Sequence, residues 1–443
     1  RNLSPLKKKS TYSAKKMKTL KVGLCGAGNV GRAVLRTLIQ SSQLLEVQGG
    51  VHFDIVQVGA RRGKEVVPYE GINITTNLED VATNPDVDVL VEVIGGVNFA
   101  YELVTTALKE GKHVVTANKA LIASHGNELF NLAKENNVEI GFEASVAGGT
   151  PVIKALREGL VATKVKWFAG ILNGTSNFIL TEMESNQSTF ESALKKAQEL
   201  GLAESDPSLD INGTDAAQKA SILAALAFHV PFDFSLVSFE GIEEIELEDL
   251  GYAKELGYSI KHIAHGELEN NVVCVSAYPT LVDNETLLSQ VGKEMNALEI
   301  FSEGIGSTVY YGPGAGPEPT ASAVIADLVD IAKGGWDLDI NSDDQNKLEV
   351  LDRKRAARYY RLQVNDEPGV IAKISSLFGD QNISIEALIQ HEAKSKENLE
   401  SISVVIISGE ISNNEAVKLK NALEDLPEVF SGVKKFRIHA GEK

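Results

Sequence analysis

The chain has 443 residues, 43% of them hydrophobic and 23% charged, with a formal net charge of −18. This is ordinary composition for soluble globular protein, and the length allows several domains. The acidic balance excludes a general affinity for nucleic acid, and no apolar run reaches the ~20 residues of a membrane span. Two cysteines, Cys25 and Cys274, exclude a disulfide framework and a metal–thiolate cluster, and fit a reducing cytoplasmic setting.

Residues 1–18 form a basic tail, with Lys7–Lys9, Lys15, Lys16 and Lys18 clustered. The tail lacks the apolar middle of a secretory signal and is expected to be disordered and non-targeting; an organelle transit remnant and a natural start at Met17 are the alternatives. The first strand is predicted over Leu20–Cys25. It runs into Gly26-Ala-Gly28-Asn29-Val30-Gly31 and then into a stretch of helical spacing. Gly-x-Gly-x-x-Gly between a strand and a helix is a dinucleotide-binding pattern. Gly26 allows the tight turn, Gly28 lets backbone approach a pyrophosphate, Gly31 lets the helix pack close, and the helix N-terminus faces the phosphates.

A second strand, Phe53–Val58, leads to Arg61 and Arg62, with no acid where an NAD site usually places one for the ribose hydroxyl. Arginine there favours a 2′-phosphate, hence NADP over NAD. Further strands are predicted at Asp88–Ile94, ending in Gly95-Gly96, and at His113–Thr116, ending in Ala117-Asn118-Lys119. Ligands of parallel sheets bind at such carboxyl ends, so Lys119 is either a substrate or nicotinamide contact or an exposed loop lysine. Val138–Glu143 is a strand. The turn Ala144–Pro151 carries carbonyls of the kind that hold a hard monovalent cation, or is simply a turn.

From Pro151 the pattern changes, with a helix to Leu160, a strand over Val165–Leu172, and a polar turn, Asn173-Gly-Thr-Ser-Asn177, that opens a helix. Strand-like segments at Asn271–Tyr278 and Ser307–Tyr311 suggest a mixed sheet. Ahead of them lies the stretch that concentrates chemistry, Gly201–Lys219. Glu204, Asp206 and Asp210 sit on its loop. Asp215 and Lys219 share a face of the helix Asp215–Phe228, for which Thr214 is the expected N-cap. A second Gly-rich turn, Tyr311–Gly316, precedes a helix over Ala321–Ala332, expected to be capped by Thr320 and to return to the first domain.

A linker is read through Gly334-Gly335 and Asn341–Asn346. The tail then follows the order strand, helix, strand, strand, helix, strand from Arg358 to His439, a ferredoxin-like βαββαβ unit. By pattern it is either a dimerisation module or a small-molecule sensor.

With these residues in view, the chain resembles monofunctional homoserine dehydrogenases with a C-terminal ACT domain. The resemblance is carried by Gly23–Gly31, His113–Lys119, Gly170–Asn177, Gly201–Pro207, Asp210–Lys219, Tyr311–Gly316 with Pro319–Ala323, and in the tail by Asp366–Gly369, Gly379 and Asn382–Ile385. It implies an α/β protein in three parts. A Rossmann-type nucleotide-binding domain spans 19–150 and is completed by 312–335. An α+β substrate-binding and dimerisation domain with a mixed sheet spans 151–311, and after a 336–357 linker an ACT regulatory domain spans 358–440.

The resemblance also implies reversible NAD(P)-dependent interconversion of L-homoserine and L-aspartate 4-semialdehyde, in threonine, methionine and isoleucine synthesis. Lys219 would be the proton donor to the carbonyl oxygen, with Lys119 the alternative donor, directly or through water; Asp215 would orient that lysine or the substrate, and Glu204 would hold the substrate ammonium, with Asp210 beside the substrate. Lys119 would lie near carbonyl and nicotinamide, and Gly26, Gly28, Asn29, Val30, Gly31, Arg61, Gly95, Gly201 and Gly316 would contact the cofactor. Glu143, Val146, Gly148 and Thr150 match the family's monovalent-cation loop, for Na+ or K+. A homodimer or homotetramer is expected, with threonine as effector. Ala60-Arg61-Arg62 departs from the Arg-Asp the family often carries, which leaves NAD as the alternative cofactor. Another amino-acid dehydrogenase, or a silent NADP-binding sensor, are the competing readings; the intact set Lys119, Glu204, Asp215 and Lys219 argues against the sensor.

Overall fold

The first sheet is built from β1 (Lys18–Cys25), β2 (Val51–Gly59), β3 (Ile74–Thr75), β4 (Val89–Glu92), β5 (His113–Thr116) and β6 (Ile140–Gly141). In this computed structural model, which describes residues 17–62, 67, 69, 71–336, 346–349, 355–391, 401–430 and 432–439, all six pair in parallel in the order β3-β2-β1-β4-β5-β6. The expected tail before Met17 and most of the 336–357 linker lie outside the described residues. Parallel strands carry helices on both faces, so their side chains are apolar on both sides; Val89, Leu90 and Val91 are fully buried. The carboxyl ends of β1, β4 and β5 therefore stand side by side, at the place where the strand order reverses.

The helix Pro317–Lys333 returns to this sheet, packing Val324, Leu328 and Ile331 with Val34, Leu35 and Leu38 of the helix Asn29–Gln40. Arg36 and Glu318 pair across the same contact. The helix begins earlier than its threonine suggested. Gly316 is the N-cap and Pro317 the first helical residue, whose fixed φ suits that position, while Thr320 sits in the first turn with its N–H on the Gly316 carbonyl (3.1 Å).

The second sheet contains β7 (Val165–Ile171), β8 (Ser238–Phe239), β9 (Tyr258–Glu269), β10 (Val272–Asp283), β11 (Met295–Ser302), β12 (Gly306–Pro313), β13 (Lys347–Glu349), β14 (Ala356–Asn365), β15 (Ile385–Gln390), β16 (Ser401–Ile411) and β17 (Lys434–His439). Its order is β12-β11-β7-β9-β10-β17-β14-β16-β15, with β8 and β13 also on β10. Four of these strands, β8, β9, β11 and β13, were absent from the sequence reading. In β9 the buried Lys261 and His262 interrupt the apolar pattern by which a strand is recognised.

The C-terminal βαββαβ unit is present, but its sheet is not separate. Residues Arg437–His439 of β17 pair in parallel with Thr280–Val282 of β10, so one mixed sheet runs through both units. On one face of that sheet, Tyr359 and Arg361 of β14 meet the helix Leu247–Glu255. The Arg361 Nε lies 2.6 Å from Asp249 Oδ1, and the Tyr359 hydroxyl donates to the same oxygen at 3.0 Å.

The helix Thr214–Phe228 packs against β9, β10 and the helix Lys119–Glu135. It is buried almost all round, as expected for a helix this rich in alanine and leucine. Its N-cap is Gly213, not Thr214. Asn212 Oδ1 accepts the Thr214 N–H at 2.9 Å, and Gly213 holds φ 86°, where a Cβ would come within 2.8 Å of the Glu240 carbonyl oxygen. Pro151–Leu160 is likewise not one regular helix: a single α-turn, Val152–Lys154, passes into a wider turn over Ala155–Gly159.

Candidate active site

The glycine motif lies where β1 turns into the helix Asn29–Gln40. A Cβ on Gly31 would fall 1.8 Å from the Gly26 carbonyl oxygen, so the helix start and the turn are in direct backbone contact. Gly28 is different. Among the described residues, no atom beyond its chain neighbours lies within 4 Å of where its Cβ would be. Its bareness faces open space at a helix N-terminus, the geometry that receives a phosphate. Asn29 is the first helical residue, with Val30 next, and Asn29 Oδ1 accepts Arg32 Nη2 at 2.9 Å. Arg61 is exposed in the turn after β2, and that strand's last carbonyl, on Gly59, accepts the Gly26 N–H at 3.0 Å.

Gly95 and Gly96 follow β4. Asn118 donates from Nδ2 to the Gly96 carbonyl at 2.6 Å and caps the helix that starts at Lys119. Glu92 at the end of β4 was not anticipated. It is fully buried and accepts the Thr116 hydroxyl at 2.6 Å and the Ile94 N–H at 2.8 Å, tying the ends of β4 and β5 together. Burial pushes its carboxyl up, against the pull of those bonds. An acid closing an otherwise apolar strand was the signal for it.

Lys119 reaches from this crevice to the second domain. Its Nζ lies 3.0 Å from Asp215 Oδ1. Asp215 Oδ2 takes the Lys219 Nζ and the Asn173 Nδ2, both at 2.8 Å. Lys219 donates also to the Leu172 carbonyl at 2.7 Å, at the end of β7. An ammonium has three N–H donors, so these bonds leave Lys219 one for an incoming ligand. The Asn173 amide bridges Asp215 to Asp210 Oδ1 (2.7 Å), and its carbonyl caps the next helix through the Ser176 N–H (2.7 Å). Sequence reasoning placed Asn173 only at a helix start; its two carboxylate partners are distant in the chain.

Charge in this cluster is strongly coupled. Burial alone would raise the Asp215 carboxyl, but the Lys219 and Lys119 ammoniums outweigh it and hold it well below the usual carboxylate range. The Asp215 charge in turn raises Lys119, against the penalty of burial. Asp210 is pushed up, by burial first and then by Asp215, with the Asn173 bond opposing. Glu204 is exposed on a loop fixed by the Thr175 hydroxyl on the Leu202 carbonyl (2.8 Å), and its charge also raises Lys119. Gly201, at φ 72°, turns the chain into that loop. Gly316 is the N-cap of the returning helix.

The loop Glu143–Thr150 packs on the second Gly-rich turn, with the Gly149 N–H on the Pro313 carbonyl (3.0 Å). The Glu143 carboxylate is engaged by the Ile153 and Lys154 N–H groups at 3.0 and 2.7 Å. Burial raises it to about 7, those bonds opposing. The Thr150 hydroxyl is buried and without a hydrogen-bond partner. Such an orphan oxygen fits a hard monovalent cation ligated chiefly by main-chain carbonyls. No group of three or more His, Cys, Asp or Glu side chains among the described residues is placed to hold a metal, and no described helix is long and apolar enough to cross a membrane.

Comparison with known proteins agrees with this geometry. Family models match in the order of the folds: "Homoserine dehydrogenase, NAD binding domain" over residues 26–143, "Homoserine dehydrogenase" over 151–329, and "ACT domain" over 361–425. A homoserine dehydrogenase of Pseudomonas aeruginosa is 40% identical, across 95% of this chain and 99% of that one. One of Bacillus subtilis is 39% identical, across 94% and 98%. Among solved structures, a homoserine dehydrogenase from Thiobacillus denitrificans superposes with a TM-score of 0.89 at 39% identity, covering 96% of this chain and 99% of that chain. A hyperthermophilic archaeal homoserine dehydrogenase in complex with NADPH gives 0.62 at 29% identity, covering 72% and 99%. With relatives matched along nearly their whole lengths, the chain belongs to the homoserine dehydrogenase family of oxidoreductases and carries an NAD(P)-binding domain and an ACT domain.

Proposed function

We propose that the chain interconverts L-homoserine and L-aspartate 4-semialdehyde with Lys219 as the proton donor to the carbonyl oxygen during reduction. The observation that carries this reading is the bridge Lys119–Asp215–Lys219, which joins the crevice of the first sheet to the second domain. Bound NADPH supplies the hydride. Lys219, anchored by Asp215 and the Leu172 carbonyl, presents its remaining N–H to the oxygen on which charge develops. Asp215 keeps both lysines charged and fixes Lys219 in place. Glu204 and Asp210 offer carboxylates to the substrate ammonium, and Lys119 would lie near the carbonyl and the nicotinamide.

The cofactor contacts are assigned to Gly26, Gly28, Asn29, Val30, Gly31, Arg61, Gly95, Lys119, Gly201 and Gly316. NADP is the preferred nucleotide, because Arg61 offers a cation and no acid to the 2′ position. A monovalent cation, Na+ or K+, is held by Glu143, Val146, Gly148 and Thr150, through main-chain oxygens and the Thr150 hydroxyl. The working units are 19–150 with 312–335, 151–311, and 358–440. The enzyme acts in the cytoplasm as a homodimer or homotetramer, with threonine as its ACT effector.

The test is Lys219→Ala. The variant retains NADPH binding by calorimetry and loses semialdehyde reduction by at least about 100-fold, the scale of losing a general acid. A near-normal kcat overturns the assignment.

A further inference from the structure

Glu92 closes β4 behind Val89, Leu90 and Val91, and like them it is fully buried. A leucine or valine would fill that place without the desolvation that a carboxyl must offset. The bonds it makes show what the acid gains. Glu92 Oε1 accepts the Ile94 N–H at 2.8 Å, and Oε2 accepts the Thr116 hydroxyl at 2.6 Å. Thr116 Oγ1 in turn accepts the Asn118 N–H at 3.0 Å. The Asn118 side chain donates to the Gly96 carbonyl at 2.6 Å, two residues past Ile94. Four hydrogen bonds and the run Ile94–Gly96 thus close a ring across the carboxyl ends of β4 and β5. The Ala117 N–H braces it from within, 3.4 Å from the Glu92 main-chain carbonyl.

Both arms of Glu92 converge on Asn118. One runs through the Thr116 hydroxyl to the Asn118 main chain. The other runs through the Gly95–Gly96 elbow to its side chain. The elbow residues hold φ 74° and 76°, and among the described residues no atom beyond their chain neighbours lies within 4 Å of a Cβ on either. Paired glycines with nothing packed on them have more backbone freedom than any other residues. Here the pair is pinned at both ends, by the Ile94 N–H on Glu92 and by the Gly96 carbonyl on Asn118. Asn118 also caps the helix Lys119–Glu135, its Oδ1 accepting the Leu121 N–H at 3.1 Å. Whatever holds Asn118 therefore fixes the first helical residue, Lys119, whose Nζ meets Asp215 at 3.0 Å.

We propose that Glu92 is a positioning residue for the reaction: through Thr116 on one arm and the Gly95–Gly96 elbow on the other, it sets where Lys119 stands. The proposal rests on the reading of Lys119 given above, as a group near the reacting carbonyl. Being fully enclosed, Glu92 acts only through these neighbours. A carboxylate is the side chain the ring requires, because it accepts on both oxygens at once, whereas a glutamine amide accepts on one atom and donates on the other. Reacting groups tolerate little slack: a misplacement of about 1 Å can cost on the order of 100-fold in rate.

The experiment is a double-mutant cycle in the full-length enzyme, read as kcat for semialdehyde reduction, with Tm measured on every variant. Lys119→Met lowers kcat by at least about 100-fold, the scale of removing a donor to developing charge. Glu92→Gln lowers kcat by about tenfold in the wild type but by less than about twofold on the Lys119→Met background, because the group it positions is gone. Thr116→Val breaks the ring without touching the acid and behaves as Glu92→Gln does in the same cycle. Thr116→Ser, which restores the hydroxyl, recovers most of that loss. This threonine pair carries the test if Glu92→Gln does not fold. If the losses of the ring variants and of Lys119→Met multiply, or the ring variants lower Tm and leave kcat alone, the positioning role falls and the reading of Lys119 stands. If Lys119→Met keeps a near-normal kcat, the reading of Lys119 fails and the positioning role with it.

Discussion

Lys119 and Asp215, one at the carboxyl end of a parallel strand and the other in the first turn of a helix from the second domain, meet at 3.0 Å. Asp215→Asn removes the carboxylate charge that pairs directly with both Lys119 and Lys219. The expected loss in kcat is at least about 100-fold, with NADPH affinity retained. Because the Asp215 charge is what raises Lys119, its removal lowers that ammonium's pKa. Any alkaline limb of the kcat/KM profile that reports Lys119 moves to lower pH. The acid side has its own sign. A carboxyl depressed in the folded state stabilises the fold above its unfolded pKa of about 3.9 and loses that contribution as pH falls. Acid titrations of Tm will therefore be flatter for Asp215→Asn than for the wild type.

Asn173 separates two carboxylates and caps a helix with one amide. Asn173→Ala is expected to cost about 1 kcal/mol for the cap alone, and more for leaving Asp210 beside Asp215 without the shared donor. Asn173→Asp should be worse in kcat than the alanine variant although it keeps a capping oxygen, because it adds a third acid to the pair. Thermal melts and steady-state kinetics on the two variants check this; equal kinetics would show that the amide acts only as a cap.

The glycine motif separates folding from binding. Gly31→Ala drives a methyl into the Gly26 carbonyl and should lower both Tm and cofactor affinity. Gly28→Ala meets no atom of the described residues beyond its chain neighbours, so its Tm stays at the wild-type value while NADPH binding weakens by roughly tenfold or more. Differential scanning calorimetry and fluorescence titration of NADPH read the two effects apart.

Arg61 is exposed, so Arg61→Ala should fold normally. The ratio of kcat/KM for NADPH over NADH is expected to fall by roughly tenfold, the scale of a charge-assisted phosphate contact. A wild-type preference for NADH removes the idea.

What the sequence disclosed follows the range of the interactions. The Gly26–Gly31 turn and the Asp215–Lys219 pair are local, fixed by spacing along one loop and one helix, and both were legible. The contact of Lys119 with Asp215, and of Asn173 with Asp210, joins elements far apart in the chain, and periodicity carries no information about such pairings. Thr214 and Thr320 misled because a threonine before an apolar run is a sound capping signal. Gly213 in a left-handed conformation and Pro317 after Gly316 supplied better starts. β9 was hidden by Lys261 and His262, polar residues buried in mid-strand: Lys261 donates to the Val291 carbonyl and His262 contacts that of Glu240.

The pairing of β17 with β10 has a consequence for how such an enzyme can be altered. Cutting the chain ahead of β14 would leave Thr280–Val282 with bare N–H and C=O groups on an interior strand, and would lay open the Leu281 side of the sheet that Tyr359 and Phe436 now cover. Such an edge invites self-association. Desensitising this protein by amputation therefore risks aggregation, and point changes that leave the ladder whole are the safer means of freeing it from control.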